Sequence, residues 1–149
     1  MVRKIIIVIT LFILTAFFKV SLAGTAAIAD KNTQDRRAQL IVYYFHGDFR
    51  CPTCRNLEQY AKEAIEHNFK GEVARGELVF KAVNVEQKEN EHFINDYQLY
   101  SKSLVLSLTK DGKEIKYKNL DKIWDYARDK QKYINYVKRE VADFLKEMQ

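Results

Sequence analysis

His46–Tyr60 reads HGDFRCPTCRNLEQY, and this stretch decides how the rest of the chain is read. It carries both cysteines of the protein, Cys51 and Cys54, separated by two residues. Immediately before it, Ala38–Phe45 (AQLIVYYF) is a run of β-branched, aromatic and other apolar residues closed by His46-Gly47-Asp48. Such a run bounded by turn residues predicts a buried strand. Immediately after the first cysteine the period changes. From Pro52 to Asn68 the apolar residues Leu57, Tyr60, Ala61, Ala64 and Ile65, with Phe69 just beyond, fall at helical spacing. The cysteine pair therefore stands where a strand ends and a helix begins.

Outward from that junction, Glu77–Val85 (ELVFKAVNV) is apolar on both parities, as expected of a strand covered on two sides. Asn90–Leu99 places Phe93, Ile94 and Tyr97 at helical spacing. Ser103–Thr109 and Lys113–Lys118 flank Lys110-Asp111-Gly112, a hairpin signal. Asp121–Met148 predicts one or two helices whose stripe is Ile134, Val137, Val141, Phe144, Leu145 and Met148. The order βαβ, helix, ββα requires a right-handed crossover in its first half. It predicts an α/β domain with a central mixed sheet of about four strands and helices on both faces.

The N-terminus has a separate character. Arg3 and Lys4 precede the uncharged apolar run Ile5–Phe18, and Ser21-Leu22-Ala23 supplies small residues at a cleavage position. This is the order of a secretory signal, so residues 1–23 are expected to be removed after Ala23 and the protein exported to a periplasmic or other extracytoplasmic space. A retained N-terminal membrane anchor is the alternative, although the run is short for a span and Lys19 interrupts it. Residues 24–37 read as a flexible lead-in, and 38–149 as the single folded domain. With Arg3, Lys4 and Lys19 gone, the formal charge falls from +5 to +2. Interspersed charge of that size gives no basis for nucleic-acid binding.

Three chemistries suit two cysteines at this spacing: a redox pair, half of a metal site, or a structural staple. A disulfide across two residues closes so short a loop that it removes little unfolded-state entropy, which disfavours the staple. His46, His67 and His92 lack zinc-finger spacing, and the last two lie on predicted helices away from the pair; copper-type carriage by the same cysteines with a histidine remains an alternative. Two unused free thiols are disfavoured in an exported protein.

A Cys-x-x-Cys in this topological slot resembles the thioredoxin superfamily, over about Leu40 to Leu145. The strand IVYYF, the pair CPTC at a helix start and the late strand–KDG–strand hairpin carry the resemblance. It implies a thioredoxin-like fold and a thiol–disulfide oxidoreductase without a bound organic cofactor or metal. Cys51 is then the nucleophile and Cys54 the resolving thiol. A helix start offers unpaired N–H groups and a partial positive charge. Pro52 suits the first helical position, and Arg50, Arg55 and His46 are expected to favour a Cys51 thiolate.

The resemblance has gaps. Thioredoxins place a cis-proline before the hairpin, in a slot that falls here at Ser103-Leu104; a trans bond and an altered substrate groove are expected there. They bury an acid on the strand before the motif, and the matching position here is Phe45. Arg50 stands where a tryptophan is common. The string Tyr43-Tyr44-Phe45-His46-Gly47 with Arg50-Cys51-Pro52-Thr53-Cys54 is similar to small exported thioredoxin-like proteins described as a nitrophenyl-compound nitroreductase subunit. That narrower likeness implies an electron relay outside the cytoplasm, with a membrane electron-conducting reductant, serving nitroaromatic reduction; a disulfide-containing protein partner and a monomeric chain are expected. A non-catalytic interaction module is the remaining alternative.

Overall fold

The computed structural model describes residues 38–148; the expected signal and lead-in, 1–37, lie outside them, as does Gln149. Strand β1 (Gln39–His46) runs through the middle of a four-stranded sheet of order β2-β1-β3-β4. β2 (Leu78–Asn84) pairs parallel to β1, with Leu40 opposite Leu78 and His46 opposite Asn84. β3 (Ser103–Lys110) pairs antiparallel on the other side of β1, with Phe45 opposite Ser103. β4 (Lys113–Asn119) completes a hairpin with β3. Asp111 and Gly112 between them have φ of 53° and 71°, the left-handed pair that a tight two-residue hairpin turn requires and that Asp-Gly supplies.

Alternation along β1 sorts the core into two unequal layers. Leu40, Val42 and Tyr44 point to one face beside Leu104, Leu106 and Leu108 of β3. Helices α1 (Pro52–Asn68) and α4 (Lys130–Lys146) cover that face. Leu57, Ala61, Ala64 and Ile65 of α1 meet Tyr133, Val137, Val141 and Phe144 of α4 in one cluster. A short helix, α2 (Lys70–Ala74), follows α1. The opposite face holds Tyr43, Phe45 and Val105, covered by α3 (His92–Asp96) through Phe93 and Tyr97. There the Glu114 carboxylate accepts from the Tyr97 hydroxyl at 2.5 Å and from the Ser107 hydroxyl. These bonds tie the hairpin to the loop after α3.

Two expectations need correction. β2 is an edge strand in which only Leu78 is fully buried, not a strand covered on both sides; its neighbouring helices are too short to shelter Lys81 and Ala82. The helix expected over Asn90–Leu99 is reduced to α3 after a 3₁₀ turn at Lys88–Asn90. Asn90 turns its side chain back to the Asn84 carbonyl at 2.9 Å, and Gln98 at φ 51° breaks the spiral. α4 buries Tyr133 and Tyr136 in addition to Val137, Val141 and Phe144, while Ile134, Leu145 and Met148 lie at the margin of the core. Among the described residues no helix is long and apolar enough to cross a membrane.

Candidate active site

Parallel pairing of β1 with β2 sends the chain leaving β1 over the top of the sheet and back down as α1, so Cys51 stands at the helix start. Its backbone is extended (φ −67°, ψ 160°), and Pro52 occupies the first turn. The Cys51 carbonyl accepts the Arg55 amide at 3.1 Å, opening the helix. The Cys51 Sγ accepts the Cys54 amide at 3.1 Å, the position that a serine or aspartate oxygen fills at an ordinary helix cap. Cys51 and Cys54 form a disulfide with Cα atoms 5.1 Å apart. The two sulfurs are unequal in access: Cys51 is half-buried, whereas Cys54 is 3% exposed. Cys51 is therefore the more accessible of the two from solvent.

Behind the disulfide the Tyr44 hydroxyl donates to the Cys54 carbonyl at 2.6 Å. Tyr44 is fully buried, and that burial pushes its pKa up to about 12, against the opposing influence of the nearby Arg50 cation. Tyr44, rather than Phe45, is the β1 residue that faces the second cysteine. Phe45 points to the other face of the sheet, against Phe93 and Tyr97. The expected acid slot is thus displaced by one residue, and the pleat carries it to the opposite side.

The basic residues around Cys51 differ in what they contribute. Arg50 Nη2 is ion-paired with Glu58 Oε2, and Nη1 lies 3.3 Å from His46 Nε2. Guanidinium nitrogens only donate, so His46 Nε2 is the acceptor there. His46 Nδ1 faces the Gly47 carbonyl at 3.0 Å and so carries the proton. Both ring nitrogens are engaged. Glu58 offsets the Arg50 charge, which leaves the helix start as the main positive field at the Cys51 sulfur. Arg55 is exposed and forms no ion pair among the described residues. Spacing did not reveal Glu58, although it lies one turn after Cys54 on the same helix. His46 is engaged with Arg50 and Gly47, and among the described residues no group of three metal-binding side chains converges.

The loop before Cys51 is held to β2. The Asp48 amide donates to Glu86 Oε2 at 2.9 Å, and Asn84 Nδ2 donates to Asp48 Oδ1 at 2.6 Å. At the start of β3, Ser103 and Leu104 are both buried, and among the described residues every peptide bond is trans. The Ser103 hydroxyl donates to the Ser101 carbonyl at 2.9 Å. The preceding carbonyl, Lys102 O, accepts the indole N–H of Trp124 at 3.0 Å. Phe49 (76% exposed), Tyr100 (93%) and Trp124 (40%) stand on loops at this same end of the sheet.

A mixed sheet of order β2-β1-β3-β4, with two helices on one face, one on the other and a Cys-x-x-Cys at the first helix start, is the thioredoxin-like fold. The chain is similar to a thioredoxin from Thermus thermophilus (19% identity, 78% of this chain and 81% of that one, TM-score 0.45). It is also similar to Fasciola hepatica thioredoxin (18%, 81% and 90%, TM-score 0.43) and to Trxlp from Edwardsiella tarda EIB202 (16%, 62% and 81%, TM-score 0.37). No family model matches the sequence.

Proposed function

We propose that this protein exchanges thiols and disulfides with a partner protein, through Cys51 as the attacking sulfur and Cys54 as the resolving one. The observation that carries this reading is the Cys51 Sγ at the helix cap, accepting the Cys54 amide, with Cys54 enclosed behind it. In the reductive direction, the Cys51 thiolate attacks a partner disulfide. One S–S bond forms, and the partner's other sulfur leaves as a thiolate and takes up a proton. Cys54 then loses its proton and attacks Cys51, the mixed disulfide breaks, and the partner's second sulfur departs. Two electrons pass to the partner, and the Cys51–Cys54 disulfide remains. The same steps reversed oxidise a partner dithiol.

The N-terminal signal pattern supports an extracytoplasmic place for this exchange, with a membrane electron-conducting protein as reductant and the chain acting as a monomeric relay. A role in nitroaromatic reduction rests on the sequence likeness alone. A Cys54→Ser variant tests the exchange, because it leaves Cys51 able to attack but removes the resolving thiol. It should accumulate a covalent partner complex that dithiothreitol releases, while Cys51→Ser accumulates none. If neither variant, or both equally, captures a partner, the assignment fails.

A further inference from the structure

One bond at the partner-facing end of the sheet concerns which partners can enter. β3 is paired with β1 from Ser103 onward, but β4 joins its other side only from Val105, opposite Asn119. The next contact, Leu120 N to Leu104 O at 2.8 Å, is the last backbone bond on that side. Upstream of it the chain has a free margin, and the Lys102 carbonyl is the acceptor exposed there. Trp124 occupies that acceptor with its indole N–H at 3.0 Å, the Ser101 hydroxyl approaching the same oxygen at the longer 3.4 Å. Beside it lies an open hollow of about 150 Å³, lined by Tyr100, Lys102, Ser103, Asp121 and Trp124 among others. A second hollow, of about 170 Å³, lies on the other side of the Tyr100–Lys102 ridge and is lined by His46 and Gly47 of the loop that leads to Cys51. The ridge thus borders the approach to the reactive sulfur.

We propose that Trp124 is a specificity-determining residue of the exchange site. An extended, disulfide-bearing segment of a partner protein gains most by adding as a short strand along the free margin, where its backbone N–H meets the Lys102 carbonyl. Trp124 competes for that acceptor. A partner segment must displace the indole, whereas a small disulfide that needs no backbone pairing reaches Cys51 unhindered. The half-exposed position of Trp124, outside the core, allows the exchange of one donor for another without disturbing the packed layers. The inference rests on the redox reading and sharpens it.

The test compares two oxidised probes, hydroxyethyl disulfide and an unstructured peptide pair joined by one disulfide, against reduced wild type and Trp124→Phe. Phenylalanine keeps the ring contact and deletes the donor. The variant should react with the peptide pair about fivefold faster, the factor carried by one net hydrogen bond of roughly 1 kcal/mol. Its rate with hydroxyethyl disulfide should equal that of wild type. An unchanged or slower peptide rate overturns the proposal. Failure of wild type to react with hydroxyethyl disulfide would instead overturn the redox reading beneath it. A second measurement does not need the variant to fold. Trp124 is the only tryptophan, so trapping the peptide on Cys54→Ser should shift its emission to the red as the indole is released. An unmoved spectrum overturns the proposal equally.

Discussion

Replacing Glu58 by glutamine should make the Cys51–Cys54 disulfide easier to reduce. The side-chain amide oxygen still accepts from Arg50, so the guanidinium stays in place while its neutralising charge is removed. Arg50 directly precedes Cys51, and its Nη atoms now pair with Glu58 and His46. A unit charge about 7 Å from a thiolate, at the effective dielectric constant of about 20 that suits partly buried sites, interacts by roughly 2 kcal/mol. Both Arg50 and Glu58 side chains are about a quarter exposed (24% and 26%), and salt screening trims the gain to about 1 kcal/mol. For a two-electron couple that corresponds to a rise of about 20 mV in reduction potential. Stability should fall by no more than about 1 kcal/mol, since a partly exposed ion pair contributes little. The assay is equilibration with glutathione redox buffers at pH 8, with the thiol fraction read by alkylation and mass. The double variant Arg50→Gln, Glu58→Gln should return towards the wild-type value. A Glu58→Gln potential that is unchanged or more negative refutes the claim that Glu58 offsets a cation at the site.

Other consequences can be checked on the same protein. Tyr44→Phe removes the donor to the Cys54 carbonyl and should lower the unfolding free energy by about 1 kcal/mol in urea titrations, with the core otherwise intact. Burial holds both Tyr44 and Tyr136 at a pKa of about 12, above the ordinary 10.0. A raised folded-state value means that their contribution is complete below pH 10 and is lost as pH climbs from 10 through 12. The urea midpoint should therefore fall across that window while tyrosinate absorbance appears. Gly47→Ala sets a methyl group against the Glu86 carboxylate, which now holds the Asp48 amide; loss of that bond should cost about 1 kcal/mol and increase protease cleavage in the loop before Cys51. Leu57→Ala, at a fully buried position between α1 and the sheet, should cost about 2–5 kcal/mol by the same urea assay.

The parts of this protein that could be read from sequence are those fixed by local chemistry. Pro52 after an extended apolar run marks the start of α1, and its apolar stripe runs to Asn68, where the helix ends. Asp111-Gly112 marks the hairpin because few other pairs tolerate two left-handed residues. What escaped depends on neighbours distant in sequence. The apolar content of β2 predicts cover on both sides, but cover depends on helix length, and α2 and α3 are single turns. The residue behind Cys54 could not be placed without the pleat, since one position of register separates Tyr44 on one face from Phe45 on the other. The Arg50 cation reads as free until the helix turns Glu58 towards it. The bond from Trp124 to Lys102 spans 22 residues and two loops, and no periodicity signals it.

The sulfur that caps α1 has a consequence for cycling. An ionised sulfur accepts the Cys54 N–H at least as well as one bonded to its neighbour, so the first helical turn keeps its partner whether electrons are present or absent. Reduction is then expected to change the two sulfur atoms and to leave the first turn of α1 in place. On the thiol–disulfide exchange proposed above, repeated cycling would leave the hydrophobic interior packed, and the oxidation state would be read through sulfur chemistry rather than through a change of shape.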